Sequence, residues 1–94
     1  MPRISSFYGI SIWIYYDEIQ HRGRPHFHAR QGGKEASFHI EDLAILAGEL
    51  PPAAARLVRE WGRMHREELK ENWRRARERQ PLKPIAPLPK RRLT

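Results

Sequence analysis

Hydrophobic and polar residues alternate with period two in two separate stretches of the first half of the chain. From Ser11 to Tyr16 the pattern is clean: Ile10, Ile12 and Ile14 fall on one side, and Ser11, Trp13 and Tyr15 on the other. This is the signature of a strand with one buried face. The second stretch is Pro25-His26-Phe27-His28-Ala29-Arg30, a pause at Gln31-Gly32-Gly33-Lys34, and then Glu35-Ala36-Ser37-Phe38-His39-Ile40. A Gly-Gly pair between two alternating runs predicts a β-hairpin with a two-residue, positive-φ turn. That turn sets the register. Gln31 faces Lys34; Phe27 opposes Phe38 and Ala29 opposes Ala36 on one face; His26 opposes His39, His28 opposes Ser37 and Arg30 opposes Glu35 on the other. A slip of one residue would mix phenylalanine with histidine, so the pattern favours this pairing. With the isoleucines of the first strand turned to the core, Trp13 and Tyr15 join the histidine face.

The remaining elements follow in order. Asp17-Glu18-Ile19-Gln20-His21-Arg22-Gly23-Arg24 reads as an exposed loop, and Pro25 opens the next strand, where proline is tolerated. Glu41-Asp42 predicts a turn, and Ala44 to Ala47 a short fourth strand ended by Gly48. Leu50-Pro51-Pro52 introduces a helix. Ala54, Leu57, Val58, Trp61, His65, Leu69, Trp73 and Ala76 then recur at three- and four-residue steps, forming one apolar stripe. No proline interrupts residues 53–79, and Gly62 is the one glycine among them. The segment is either one helix of about 40 Å, at roughly 1.5 Å per residue, or two helices kinked near Met64-His65. Its opposite face carries Arg56, Arg59, Arg63, Arg66, Lys70, Arg74 and Arg77, with Glu67 and Glu71 spaced to pair along it. Pro81, Pro84, Pro87 and Pro89 define an extended end that finishes in Lys90-Arg91-Arg92. The predicted fold class is α+β: a three- to four-stranded antiparallel sheet followed by a long or kinked C-terminal helical segment. Residues 1–80 are expected to form a single domain and 81–94 a proline-rich basic tail.

Composition narrows the function classes. The 94-residue chain has no cysteine, which excludes disulfides and thiolate chemistry and fits a reducing, cytoplasmic setting. No apolar run is long enough to span a membrane, and no signal peptide is expected from Met1-Pro2-Arg3 onward. The net charge of +7 favours a polyanionic partner. That charge is uneven: residues 1–50 hold five Lys/Arg against six Asp/Glu, a net of −1, and residues 51–94 hold thirteen against five, a net of +8. The histidine face is thus near neutral, while the helical half carries the surplus.

Three readings compete for that face. Two opposed imidazoles, His26 and His39, sit about 4.5–5.5 Å apart between Cβ atoms in a ladder of this kind and can serve as general base and acid in RNA cleavage by its own 2′-hydroxyl. His28 completes the candidate catalytic set, with Arg30 to neutralise phosphate and Tyr15 to add a hydrogen bond. The expected enzyme is then a metal-independent ribonuclease-type hydrolase without cofactor. Alternatively, His26, His28 and His39 ligate zinc and leave a fourth position for water. The bland reading is a solvated polar face with no chemistry. Trp13 and Tyr15 beside Arg30 also suit base stacking, as on open sheets of single-strand binders, against the simpler alternative that Trp13 is buried. Trp61 and Trp73 belong to the helical stripe. Arg22, Arg24, Arg63, Arg66, Lys90, Arg91 and Arg92 are candidate phosphate contacts. No helix-turn-helix, P-loop, Rossmann glycine pattern or nucleophile elbow is present.

Three stretches together resemble a small bacterial family of unknown function, DUF4160. They are Pro2-Arg3-Ile4-Ser5-Ser6-Phe7-Tyr8-Gly9-Ile10, Pro25-His26-Phe27-His28-Ala29, and Gly48-Glu49-Leu50-Pro51 with Glu60-Trp61 and His65-Arg66-Glu67-Glu68-Leu69-Lys70-Glu71-Asn72-Trp73. The likeness extends to Leu88. The resemblance implies a gene that often lies beside a second short gene, in a toxin–antitoxin-like pair, and brings no established catalytic residues. Taken together, the expectation is a toxin-like, RNA-directed component of a two-gene bacterial module. The alternatives are a non-enzymatic nucleic-acid-binding or regulatory module, and an interaction domain docking an acidic partner. The expected partners are nucleic acid, RNA first, or an acidic protein such as a cognate antitoxin, with a homodimer as a further candidate and no membrane.

Overall fold

The computed structural model describes residues 3–16 and 24–90. The strands are β1 (Arg3–Phe7), β2 (Ile10–Trp13), β3 (His26–Gln31), β4 (Lys34–His39) and β5 (Ile45–Gly48), followed by helices α1 (Pro52–Met64) and α2 (Arg66–Arg77). The strands form one antiparallel sheet in the order β1-β2-β3-β4-β5. The class is α+β as expected, with five strands where the pattern predicts three or four.

β1 is the additional strand, and its sequence hides it. Ile4 and Phe7 are both buried although they are three positions apart, which strict alternation would place on opposite faces. An irregularity in the pairing between Arg3 and Ser5 shifts the register and lets both side chains reach the core. Tyr8 and Gly9, with φ of 52° and 75°, make the tight turn into β2.

The β3–β4 hairpin has the predicted register throughout: His26↔His39, Phe27↔Phe38, His28↔Ser37, Ala29↔Ala36, Arg30↔Glu35 and Gln31↔Lys34. Its turn differs in one respect. Gly32 has φ of 59°, while Gly33 stays outside the left-handed region. The predicted fourth strand appears as β5, one residue later than expected. Gly48 closes it at φ 77°, and a Cβ there would lie 2.2 Å from the Glu35 carbonyl oxygen, so the position admits no side chain without backbone movement.

The helical segment bends at His65 (φ −121°, ψ 26°), so the kinked alternative holds. Pro51 and Pro52 start α1 where their missing N–H groups cost nothing. Glu67 and Glu68 in the first turn of α2, and Arg74, Arg75 and Arg77 in the last, complement the helix dipole. The apolar stripe of α1 covers the sheet: Trp61 lies 5.3 Å from Phe7 and 5.8 Å from Phe27 between ring centroids, and Phe27 stacks on Phe38 at 5.5 Å. Gly62 allows α1 to sit directly on Leu43, whose Cδ2 would be 2.7 Å from an added Cβ.

The described part of the proline-rich end is extended, and it packs against the same core. Ile85 and Leu88 are buried, the Ile85 N–H donates to the Ile4 carbonyl (2.8 Å), and Trp61 Nε1 donates to the Ala86 carbonyl (2.8 Å). Asn72 clamps the segment from both sides. Its Nδ2 donates to the Lys83 carbonyl and its Oδ1 accepts from the Lys83 N–H, each at 2.8 Å. Asn72 is itself buried. Asn72→Ala should therefore lower stability by roughly 1–3 kcal/mol in denaturant unfolding and speed proteolysis within residues 81–90. A variant as stable and as protease-resistant as the parent would mean that the clamp contributes nothing.

Candidate functional site

The register fixes the candidate site on the sheet face opposite α1. Trp13 pairs with His28, Ser11 with Arg30, His28 with Ser37, and His26 with His39. Strand geometry therefore gathers Trp13, His26, His28 and Arg30 on one surface, and Tyr15 joins them, its ring 4.5 Å from that of His28 and stacked with Trp13 at 6.4 Å and 19°. The guanidinium of Arg30 lies 5.5 Å from the Trp13 ring centroid, close enough for a cation–π contact. Trp13 Nε1 donates to Ser11 Oγ (2.8 Å), which fixes the plane of the indole. Trp13 is half-buried, whereas Trp61 and Trp73 are buried.

The histidines share the face but have separate local partners. His26 is 8% exposed; its Nδ1 donates to the Arg24 carbonyl (2.8 Å), and its ring lies 5.2 Å from Trp73 and 5.3 Å from His28. His28 is 9% exposed and donates from Nδ1 to Glu35 Oε2 (2.8 Å); Arg30 Nε holds the other oxygen of that carboxylate at 3.3 Å. His39, half-buried, donates from Nδ1 to Asp42 Oδ1 (3.0 Å). In each ring Nδ1 faces an acceptor oxygen, which places the tautomeric proton on Nδ1 and orients the ring. Among the described residues, no three His, Asp or Glu side chains are arranged to hold a metal ion. A surface concavity lies elsewhere, between α2 and the proline segment, lined by Glu67, Glu71, Asn72, Lys83 and Ile85 among others, with none of the three histidines.

Two carboxylates complete the site that residue spacing left out. Glu35 reaches His28 diagonally across the hairpin, although directly opposed pairing assigns it to Arg30 alone; diagonal neighbours lie within reach of long side chains. Asp42 had a local signal in its three-residue distance from His39. Its carboxylate also accepts from the Ala44 N–H (3.0 Å), and that bond first, with the His39 bond second, holds its carboxyl below the ordinary 3.8. A pKa lower in the folded than in the unfolded chain gives a stabilising contribution that is present above the unfolded value and lost as pH falls through the folded one. Asp42→Asn should accordingly be less stable than the parent at neutral pH and converge with it in acid. A stability gap that stays constant on acidification would contradict this assignment.

The basic candidates divide in the same way. Arg24, Arg63 and Lys90 are exposed. Arg66 is half-buried, and its Nε donates to the Ile40 carbonyl at 3.4 Å, so part of its role is to hold α2 to the sheet. Arg74 and Arg75 pair with Glu71, which the Arg74 contact holds below the usual carboxylate range. Arg22, Arg91 and Arg92, with residues 17–23 of the loop predicted over 17–24, lie outside the described residues.

The fold and this face define a small α+β domain: a five-stranded antiparallel sheet, covered on one face by α1, with aromatic, histidine and arginine side chains gathered on the other, where Trp73 of α2 packs against His26. Residues 9–74 match the model of the family described as Domain of unknown function (DUF4160), and the chain belongs to that family. No curated protein matches the chain, and no solved structure does. No helix among the described residues is long and apolar enough to cross a membrane.

Proposed function

We propose that this protein is an RNA-directed module that holds a single strand on the outer face of its sheet. The observation that carries the reading is the Trp13–Tyr15 stack with the Arg30 guanidinium over Trp13. Bases of any sequence can stack on such a platform, and an arginine beside it supplies both phosphate neutralisation and a second planar surface. The net charge of +7 adds the general attraction to polyanion. Arg63 and Lys90 are exposed on the basic half and available to track the backbone. The test is fluorescence anisotropy with a labelled single-stranded RNA and the corresponding duplex over a range of salt. Stacking on the sheet face requires tighter binding to the single strand, with affinity falling as salt rises. Equal affinity for duplex and single strand would reduce the interaction to charge alone.

A second reading, RNA cleavage within a toxin-like two-gene bacterial module, is supported by the His28–Glu35 pair. A carboxylate 2.8 Å from Nδ1 fixes the tautomer and the orientation of the ring, which a general base needs. On this reading His28 is the proton acceptor, with His26, 5.3 Å away between ring centroids, as the neighbouring acid. Growth inhibition on expression that persists in a His26/His28/His39 triple alanine variant would remove it and leave the binding reading in place.

A further inference from the structure

The two edges of the sheet differ. The proline segment bonds to β1 through Ile85, whereas β5 has β4 as its strand neighbour on one side, and among the described residues no backbone hydrogen bond reaches its other side. Ile45-Leu46-Ala47-Gly48 has no charged residue and no proline, the devices by which natural edges discourage pairing, and Ile45, Ala47 and Gly48 are exposed. The carboxylates around it already have partners: Glu41 with Lys70 (3.5 Å), Asp42 with His39 (3.0 Å) and Glu49 with Lys34 (3.3 Å).

An arginine stripe runs along α1 on this side. Arg56, Arg59 and Arg63 recur at three- and four-residue steps, which places them on one face of the helix. Arg59 shows where that face lies. Its Nε donates to the Leu43 carbonyl at 3.1 Å, and its guanidinium is 5.7 Å from the ring of Phe38, the register partner of Ile45. Arg56 and Arg63 are exposed and make no ion pair among the described residues.

We propose that the β5 edge, with this arginine stripe above it, docks an extended acidic segment of a partner protein as an added strand. Main-chain hydrogen bonds to Ile45–Gly48 provide the attachment, and carboxylates at alternate positions, on the helix side of the added strand, meet Arg56, Arg59 and Arg63. A second copy of this chain fits less well, because pairing β5 with its own copy brings two arginine stripes to one seam in a protein of net charge +7. The surface shares Arg63 with the backbone contacts of the RNA reading but no residue with the Trp13–Tyr15–Arg30 platform, so the response of the β5 amides to peptide and that of the Trp13 indole to RNA test the two proposals separately.

The test uses the full chain, labelled for NMR, and a short blocked peptide of alternating valine and glutamate. Three comparisons accompany it: the valine–lysine counterpart, the valine–glutamate peptide N-methylated at alternate residues, and an Arg56→Glu/Arg63→Glu variant. The valine–glutamate peptide is expected to shift the amides of Ile45–Gly48 and slow their hydrogen exchange. N-methylation, which removes the peptide's donors, should abolish binding, and the double charge reversal should weaken it by about tenfold or more. The valine–lysine peptide should not bind. The proposal is overturned if the β5 amides stay still while others move, or if both peptides bind equally. It is also overturned if the protein self-associates through β5 without peptide, or if the Arg56 and Arg63 resonances answer only to RNA.

Discussion

Trp61→Ala should cost about 3–5 kcal/mol of stability, the range for removing a fully buried tryptophan from a core. Trp61 is 0% exposed, contacts Phe7 and Phe27 on two different strands, and ties the proline segment through its bond to the Ala86 carbonyl. A domain of this size has a total stability on the order of 5–15 kcal/mol, so the variant is expected to be partly unfolded under ordinary conditions. Thermal unfolding followed by circular dichroism should show a midpoint lowered by roughly 12–40 °C. Trp61→Phe, which keeps an aromatic ring and loses the indole donor, should lie between the two. A midpoint for the alanine variant within a few degrees of the parent would mean that α1 and the proline segment are not anchored at this residue.

Trp13→Ala should leave the fold intact and weaken single-stranded RNA binding. A base stacked on an aromatic ring is worth about 1–3 kcal/mol, which corresponds to a loss of roughly 5- to 150-fold in affinity. Trp13 is half-buried and at the surface of the sheet, so its removal opens no core cavity of the kind left at Trp61. Arg30→Ala should act in the same direction through the lost guanidinium, and should also free the Glu35 carboxylate from its 3.3 Å contact. The salt dependence should flatten for Arg30→Ala and stay nearly unchanged for Trp13→Ala, because only the arginine neutralises phosphate. Titration of each variant at two salt concentrations separates the two contributions. Unaltered affinity in Trp13→Ala would mean that no base stacks on this ring.

The parts of the fold that were legible in the sequence are those governed by local period and turn chemistry. Alternation around Gly32-Gly33 was enough to determine every pairing of the β3–β4 hairpin, since any slip would have buried histidine in place of phenylalanine. The break at His65 was legible only as one of two options: no proline or glycine at that position forces it, and tertiary packing decides. β1 stayed hidden because its irregular pairing puts Ile4 and Phe7 on one face out of period. The packing of Ile85 and Leu88 was equally hidden, for an extended proline-rich segment has no period to read and its docking depends on Asn72 and Trp61, whose partners are distant in sequence. At the candidate site, the common face of Trp13, Tyr15, His26, His28 and Arg30 followed from strand alternation. The contacts of Trp73 with His26 and of Glu35 with His28 did not, since they depend on how α2 folds back and on side-chain reach.

On the proposed reading, the sheet face carrying Trp13, Tyr15 and Arg30 receives the RNA strand. The most direct measurement is an NMR titration of the full chain with a short single-stranded RNA, following the indole N–H of Trp13 alongside those of Trp61 and Trp73. The Trp13 indole and the amides of Ser11, Trp13, Tyr15 and Arg30 are expected to shift and saturate together, while the buried Trp61 and Trp73 indoles move little. Binding that saturates with the Trp13 indole unmoved, and with shifts confined to the arginines of α1 and α2, would contradict it.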